Sequence, residues 1–287
     1  MDNNIKILAA GGDKRQLWCV RELNGTPGIT ARAAGFDTES VPPELIGLTQ
    51  WRGEQYDCLL LSMNPFDGDG KVKFPCSGDR ISEDELSDHL IPGGIVLSGG
   101  NERQTDVISP GSRVICYGDR EELCLRNAVL TAEGAVQLAL EELDEALWRM
   151  PVLVAGIGRI GTALIKILSG FGAKISAVVR NDKGAAKAEA AGAYPVGLSG
   201  SLSGYSLIFN TVPDMVFDSE VLRGVDKDTV IIDLASAPGG TDFTAAAGYG
   251  IRAVHAPGLP GRTAPVTAGK IIAGTVINIL KEVRENE

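Results

Sequence analysis

Apolar residues along this chain fall into short, nearly continuous runs bounded by glycine and polar breaks. These runs alternate with stretches whose apolar positions recur every three or four residues. The runs at 5–9, 30–34, 56–61, 94–97 and 113–117 are rich in Val, Ile, Leu and Ala, as strands buried on both faces of a parallel sheet must be. Between them, 13–23 and 82–90 have helical periodicity, the second opening with Ser82 and Glu85 in capping-box spacing. Residues 131–148 predict one long helix. Thr131 is its N-cap, Glu133 stands in the first turn where the helix dipole favours a carboxylate, and Val136, Leu140, Leu143 and Leu147 share a side. The alternation then resumes with strands at 152–155, 174–179, 194–196, 207–210, 229–233 and 251–255, the number that two mononucleotide-binding halves require. A helical pattern over 266–283 follows.

This order predicts an α/β fold class, with two Rossmann-like or flavodoxin-like domains, parallel sheets, and a long helix joining them. Residues 1–130 form a flavodoxin-like domain on the substrate side, completed by a C-terminal helix over 266–287. Residues 131–150 form the connecting helix, and 151–262 the dinucleotide-binding domain. The stretch NPFDGDGKVKFP at 64–75 collects Pro, Gly and Asp and predicts a mobile loop, either functional or disordered.

Chemistry enters most clearly at PVLVAGIGRIG, residues 151–161. An apolar run opens into Gly156-x-Gly158-x-x-Gly161 and then into a helix. Gly156 permits the tight turn, Gly158 lets backbone approach a pyrophosphate, and Gly161 lets helix and strand pack closely. Arg159 and Ile160 begin the helix whose free N–H groups and positive dipole end would hold the phosphates. With 36 glycines in the chain, chance matches to the spacing arise, and the strand before and helix after it give this one its weight.

About twenty residues on, where NAD-binding domains place an acidic ribose ligand, the chain has Arg180, Asn181, Asp182 and Lys183. Arg180, Asn181 and Lys183 suit the 2′-phosphate of NADP, while Asp182 argues for NAD. NADP is the expected cofactor, with NAD the alternative. Ligands bind at the carboxyl ends of strands in such sheets, so Thr211, Val212 and Pro213, and Leu234, Ala235 and Ser236, are the further cofactor-side candidates. Asp233 has the simpler role of capping the turn after it. In the first domain Gly11-Gly12-Asp13-Lys14-Arg15-Gln16 also follows a strand, but lacks the third glycine. Arg15 there either grips a carboxylate through its forked donors or is a solvated helix-start charge. His255, at a strand end beside the expected crevice, is the weak candidate for proton transfer, with a packed strand-end histidine as its alternative. His89 reads as surface. No catalytic residue is assigned.

A formal charge of −10 over 287 residues argues against nucleic acid and anionic membranes as partners. There is no stretch near the length of a membrane span, so a cytoplasmic protein is expected. Five cysteines without metal-ligand spacing read as reduced structural thiols, and no metal is expected.

The chain resembles the A-subunit family of dipicolinate synthase from spore-forming bacteria. The likeness rests on GGDKRQ at 11–16, NAVLTAEGA at 127–135, AGIGRIGT at 155–162 and NTVP at 210–213, and most specifically on DLASAPGGTDF at 233–243 and APGLPGRTAPVTAG at 256–269. It spans nearly the whole chain and is faintest over 42–92. The resemblance implies an NADP-dependent oxidoreductase that makes dipicolinate from a dihydrodipicolinate-type precursor during sporulation, acting with a flavoprotein-like B subunit. A homo-oligomer is also expected. A small dicarboxylate needs cationic and N–H donors, for which Arg15 and Gln16 are the first choices, with Asp13 beside them on the substrate side, while Asn127 and Glu133 would border the cleft. The competing readings are another two-domain dehydrogenase, similar to 2-hydroxyacid or alanine dehydrogenases, and a non-catalytic NADP-binding partner protein.

Overall fold

A computed structural model describes residues 4–78, 80–100, 112–198 and 202–285. The chain divides into two compact units, one of residues 1–126 with 264–287 and one of 127–263.

In unit 1 the strands are β1 (Ile5–Ala10), β2 (Ile29–Ala34), β3 (Tyr56–Leu61), β4 (Leu90–Ser98) and β5 (Arg113–Cys116). They pair in the order β2-β1-β3-β4-β5, the flavodoxin-like order, and each pair is parallel. Helix α1 (Lys14–Asn24) starts where Asp13 accepts from the Arg15 N–H and stops at Gly25. Helix α2 (Glu83–Asp88) opens on Ser82, whose hydroxyl accepts from Glu85 N–H, as the capping-box spacing predicts. The core of this unit joins Ile7, Ala9, Leu17, Val20 and Leu60 to Ile272, Val276 and Ile279 of α9 (Pro265–Glu285). Helices α1 and α9 touch backbone to backbone, since a Cβ on Gly269 would lie 2.6 Å from Arg15 O and 2.7 Å from Cys19 N. Residues 286 and 287 of the expected closing helix lie outside the described residues.

Two expectations for this unit change. The stretch over 64–75 is a folded turn: Phe66 bridges Val72, Asp67 Oδ1 accepts from the N–H groups of Asp69 and Lys71, and Gly12 N–H donates to Lys73 O. His89 is half-buried rather than a surface side chain. Its Nδ1 lies 2.7 Å from Glu54 O, and its ring sits edge-on to Trp51 at 4.9 Å. Cys19 and Cys58 are buried free thiols, and burial pushes the Cys58 thiol up to about 12.

The long helix also differs. Helix α3 runs Glu121–Glu142, starting ten residues and ending six residues earlier than the 131–148 pattern predicts. Thr131 is therefore an interior residue, its hydroxyl donating to Asn127 O at 2.9 Å. Glu121 and Glu122 stand in the first turn, where the dipole favours them, while no basic residue lies in the last turn. Glu141, Glu142, Asp144 and Glu145 crowd the negative end; the helix stops there, and Arg252 donates to Glu142 O at 2.8 Å.

Unit 2 holds β6 (Pro151–Ala155), β7 (Lys174–Val178), β8 (Tyr194–Val196), β9 (Leu207–Asn210), β10 (Val230–Asp233) and β11 (Arg252–His255). The strands pair in the order β11-β10-β9-β6-β7-β8, two mononucleotide-binding halves that meet between β6 and β9. The connecting helices are α4 (Arg159–Gly170), α5 (Asp182–Ala191), α6 (Ser219–Leu222), α7 (Phe243–Tyr249) and α8 (Leu259–Thr263). Fully buried Val152, Val154, Leu164, Leu168 and Phe209 pack one face of the sheet, and Leu153, Ile208, Phe217 and Ile231 the other. Continuous apolar strands are the sequence mark of a sheet covered on both sides.

Candidate dinucleotide site

The strand order reverses between β6 and β9, so the ends of these two strands part to either side and leave a crevice. Gly156, leaving β6, has φ +97°, and a Cβ there would lie 2.5 Å from Thr211 Oγ1. Gly161 packs so closely that a Cβ would collide with Gly156 O. Gly158 is the opposite case, for a Cβ on it would meet nothing within 4 Å. It is the N-cap of α4, and no side chain caps that helix. Two glycines thus close the turn against the protein, and the third leaves backbone bare toward solvent. That is the arrangement a pyrophosphate on a helix start needs.

Thr211 holds the crevice together, donating from its hydroxyl (2.8 Å) and its N–H (3.0 Å) to Ala155 O. Asp233, fully buried, ties the next two strand ends to each other. Its Oδ1 accepts from Asn210 Nδ2 at 3.0 Å and Ala235 N–H at 2.9 Å, and its Oδ2 from Gly240 N–H at 2.8 Å. Three donors satisfy this buried carboxylate and let it fix its loop. Leu234 and Ala235 are buried under that loop, whereas Ser236 and Pro213 are exposed and Val212 is half-buried. His255 Nε2 lies 3.1 Å from Ala235 O, and its ring leans on Phe243 at 5.6 Å. A carbonyl can only accept, so Nε2 is the donor in this contact.

Beside the glycines, Gly156, Ile157, Val178, Val179, Arg180, Asn181, Leu198, Val212 and Met215 line a cavity of about 340 Å³. Asn181 caps α5, its Oδ1 accepting from Gly184 N–H at 2.9 Å, so its side chain is engaged locally. Lys183 and Arg159 are exposed; Ile160 is half-buried against the core of the unit. Arg180 Nη2 is 3.4 Å from Asp214 Oδ2, a partner 34 residues away on the segment after β9. Asp214 is the residue that reading the chain in order misses.

The substrate-side candidates separate. Arg15 is forked onto Asp13, with Nε 2.8 Å from Oδ1 and Nη2 2.8 Å from Oδ2. Gln16 is 1 % exposed and its Nε2 points to Leu60 O at 3.4 Å, which places it under the turn and not on a ligand surface. Asn127 is half-buried within α3. Glu133 is exposed and shares an apolar groove with Val136, Leu140, Ile167, Phe171 and a second carboxylate, Glu141, a surface that repels a dicarboxylate. Among the described residues, no group of three or more His, Cys, Asp or Glu side chains is placed to hold a metal, and no helix is long and apolar enough to cross a membrane.

Residues 130–238 match the family model of the D-isomer specific 2-hydroxyacid dehydrogenase NAD-binding domain. They carry the glycine turn, the Arg180 strand end and Asp233, and the match supports a nicotinamide dinucleotide as cofactor. The chain is 30% identical over 300 residues to the A subunit of dipicolinate synthase from Bacillus subtilis strain 168, an alignment that covers 100% of this chain and 99% of that protein. The crystal structure of the same Bacillus subtilis protein aligns with a TM-score of 0.81 at 28% identity, covering 99% of this chain and 98% of that one. That of the A subunit from Bacillus halodurans aligns equally well, with a TM-score of 0.81 at 28% identity over 98% and 99% of the two chains. By sequence over its full length and by fold in both units, this chain belongs to the A-subunit family of dipicolinate synthase.

Proposed function

We propose that this chain is an NADP-preferring dehydrogenase that converts a dihydrodipicolinate-type dicarboxylate to dipicolinate, working with a flavoprotein-like B subunit. The bare backbone at Gly158, between two glycines that are closed against protein, is the observation that carries the cofactor half of this reading. Gly156, Gly158 and the start of α4 hold the pyrophosphate, and Arg180 gives the adenosine end its preference for a 2′-phosphate. When bound, the dinucleotide supplies hydride acceptance. Thr211 and the Asp233-fixed loop hold the strand ends that shape the nicotinamide side.

The substrate gives up a hydride and a proton, and its ring becomes aromatic. This gain favours the products, so the protein's work is to bind, orient and exclude water. Asp13 takes Nε and Nη2 of Arg15 and so aims the guanidinium; Nη1 stays outside that fork and is the donor we assign to a substrate carboxylate. The released proton goes to water. His255 holds Ala235 O in place and has a positioning role.

The test is turnover. The purified chain, given NADP and freshly generated dihydrodipicolinate, should form reduced nicotinamide and dipicolinate, and the B subunit should raise the rate. Dinucleotide binding without turnover, with or without its partner, would favour a non-catalytic NADP-binding protein instead.

A further inference from the structure

The Arg180–Asp214 pair stands at the rim of the cavity beside the glycine turn. Arg180 lines the cavity from the end of β7, and Val212, Met215 and Val216, the chain neighbours of Asp214, line it from the end of β9. Both side chains are 73% exposed and the contact is 3.4 Å long. A pair this open adds little to stability, and each partner keeps most of its hydrogen-bonding capacity for a ligand. The two offer opposite chemistry at one place: Arg180 donates to a phosphate, whereas Asp214 only accepts, and so suits a hydroxyl. Nucleotide-binding sheets commonly take the acidic ribose ligand from the end of the second strand. Here that position is Arg180, and the carboxylate arrives from the fourth strand of the unit. Asp182, two residues after Arg180, stands in the first turn of α5; neither it nor Asp214 lines the cavity wall itself, and Asp214 is the one that reaches Arg180.

We infer that Asp214 is a cofactor-specificity residue that offsets the phosphate preference of Arg180 and keeps the site open to the unphosphorylated dinucleotide. A ribose 2′-hydroxyl donates to Asp214, while a 2′-phosphate gains Arg180 but meets the carboxylate's like charge. The inference rests on the proposed cofactor reading, since it needs the adenosine end in this cavity.

Titration calorimetry of the full chain with NADP and with NAD tests it, using Asp214→Asn, Asp182→Asn and the wild type. The wild type should bind both dinucleotides. Asp214→Asn should tighten NADP and weaken NAD, moving their ratio of affinities by roughly fivefold to tenfold, the size of one unit charge at a solvated contact. The shift should shrink as salt is raised, and Asp182→Asn should leave the ratio alone. An unchanged ratio in Asp214→Asn with binding intact overturns the role of Asp214 and spares the cofactor reading. A wild type that binds neither dinucleotide overturns both, and a larger shift in Asp182→Asn than in Asp214→Asn moves the role to Asp182.

Discussion

The turn after β1 and the turn after β6 are made of the same materials, a buried strand, positive-φ glycine and a helix start, and they spend them differently. After β1, Gly11 and Gly12 have φ +67° and +82°, and their N–H groups donate to Ala34 O and Lys73 O. A Cβ on Gly11 would collide with Lys73 O, and one on Gly12 would lie 2.5 Å from Ser62 Cβ. Glycine there makes room for protein: Lys73 O of the folded turn and the Ser62 side chain stand where the missing side chains would be. After β6, Gly158 makes room for something that is not protein. What decides between packing and binding is the occupant of the missing side chain's place, and glycine spacing alone does not report it.

A reciprocal pair of substitutions tests this contrast most severely. Gly12→Val should destabilise the protein by about 3 kcal/mol, from a left-handed backbone and overpacking against Ser62, while the folded fraction keeps its dinucleotide affinity. Gly158→Val should leave the melting temperature near that of the wild type and weaken dinucleotide binding by roughly tenfold or more, since the branched side chain removes a charge-assisted contact. Melting curves and binding isotherms on both variants check it, and loss of binding in Gly12→Val without loss of stability would erase the distinction. A finer version stays within unit 2. Arg180→Glu should cost NADP roughly tenfold more than NAD, and equal losses would remove Arg180 from the 2′-phosphate. His255→Leu should have the least effect, a change in kcat within about threefold, because its visible work is one bond to Ala235 O. A loss of kcat a hundredfold or greater in a folded variant would make it the proton acceptor.

The strands were readable because burial on both faces leaves unbroken apolar runs, and only β4 extends well beyond its run, through the Pro-Gly-Gly of 92–94. The start of α3 was hidden for the reverse reason. Leu125 and Val129 are 50% and 45% exposed while Leu123 and Leu130 are buried, so apolar residues lie all round the helix and blur its period. The glycine turn was legible as a motif, and its division into two packed glycines and one bare one was not. Arg15 and Gln16 were recognisable as a polar pair at a helix start. Their fates, a fork with Asp13 and burial beneath β3, depend on neighbours that spacing does not name. Asp214 lay furthest out of view, because a pair across two strand ends leaves no periodic trace.

The late return of α9 has a consequence for how the molecule is made. Unit 2 is one unbroken stretch, 127–263, and can close its core as soon as it leaves the ribosome. Unit 1 is begun earlier and must wait, because Ile272, Val276, Ile279 and Val283 of its core are synthesised after everything in unit 2. During that interval the apolar face beneath α1 lacks its partner and is a target for chaperones and proteases. A chain cut before α9 would therefore hold a unit 2 with its whole core and a unit 1 without Ile272, Val276 and Ile279.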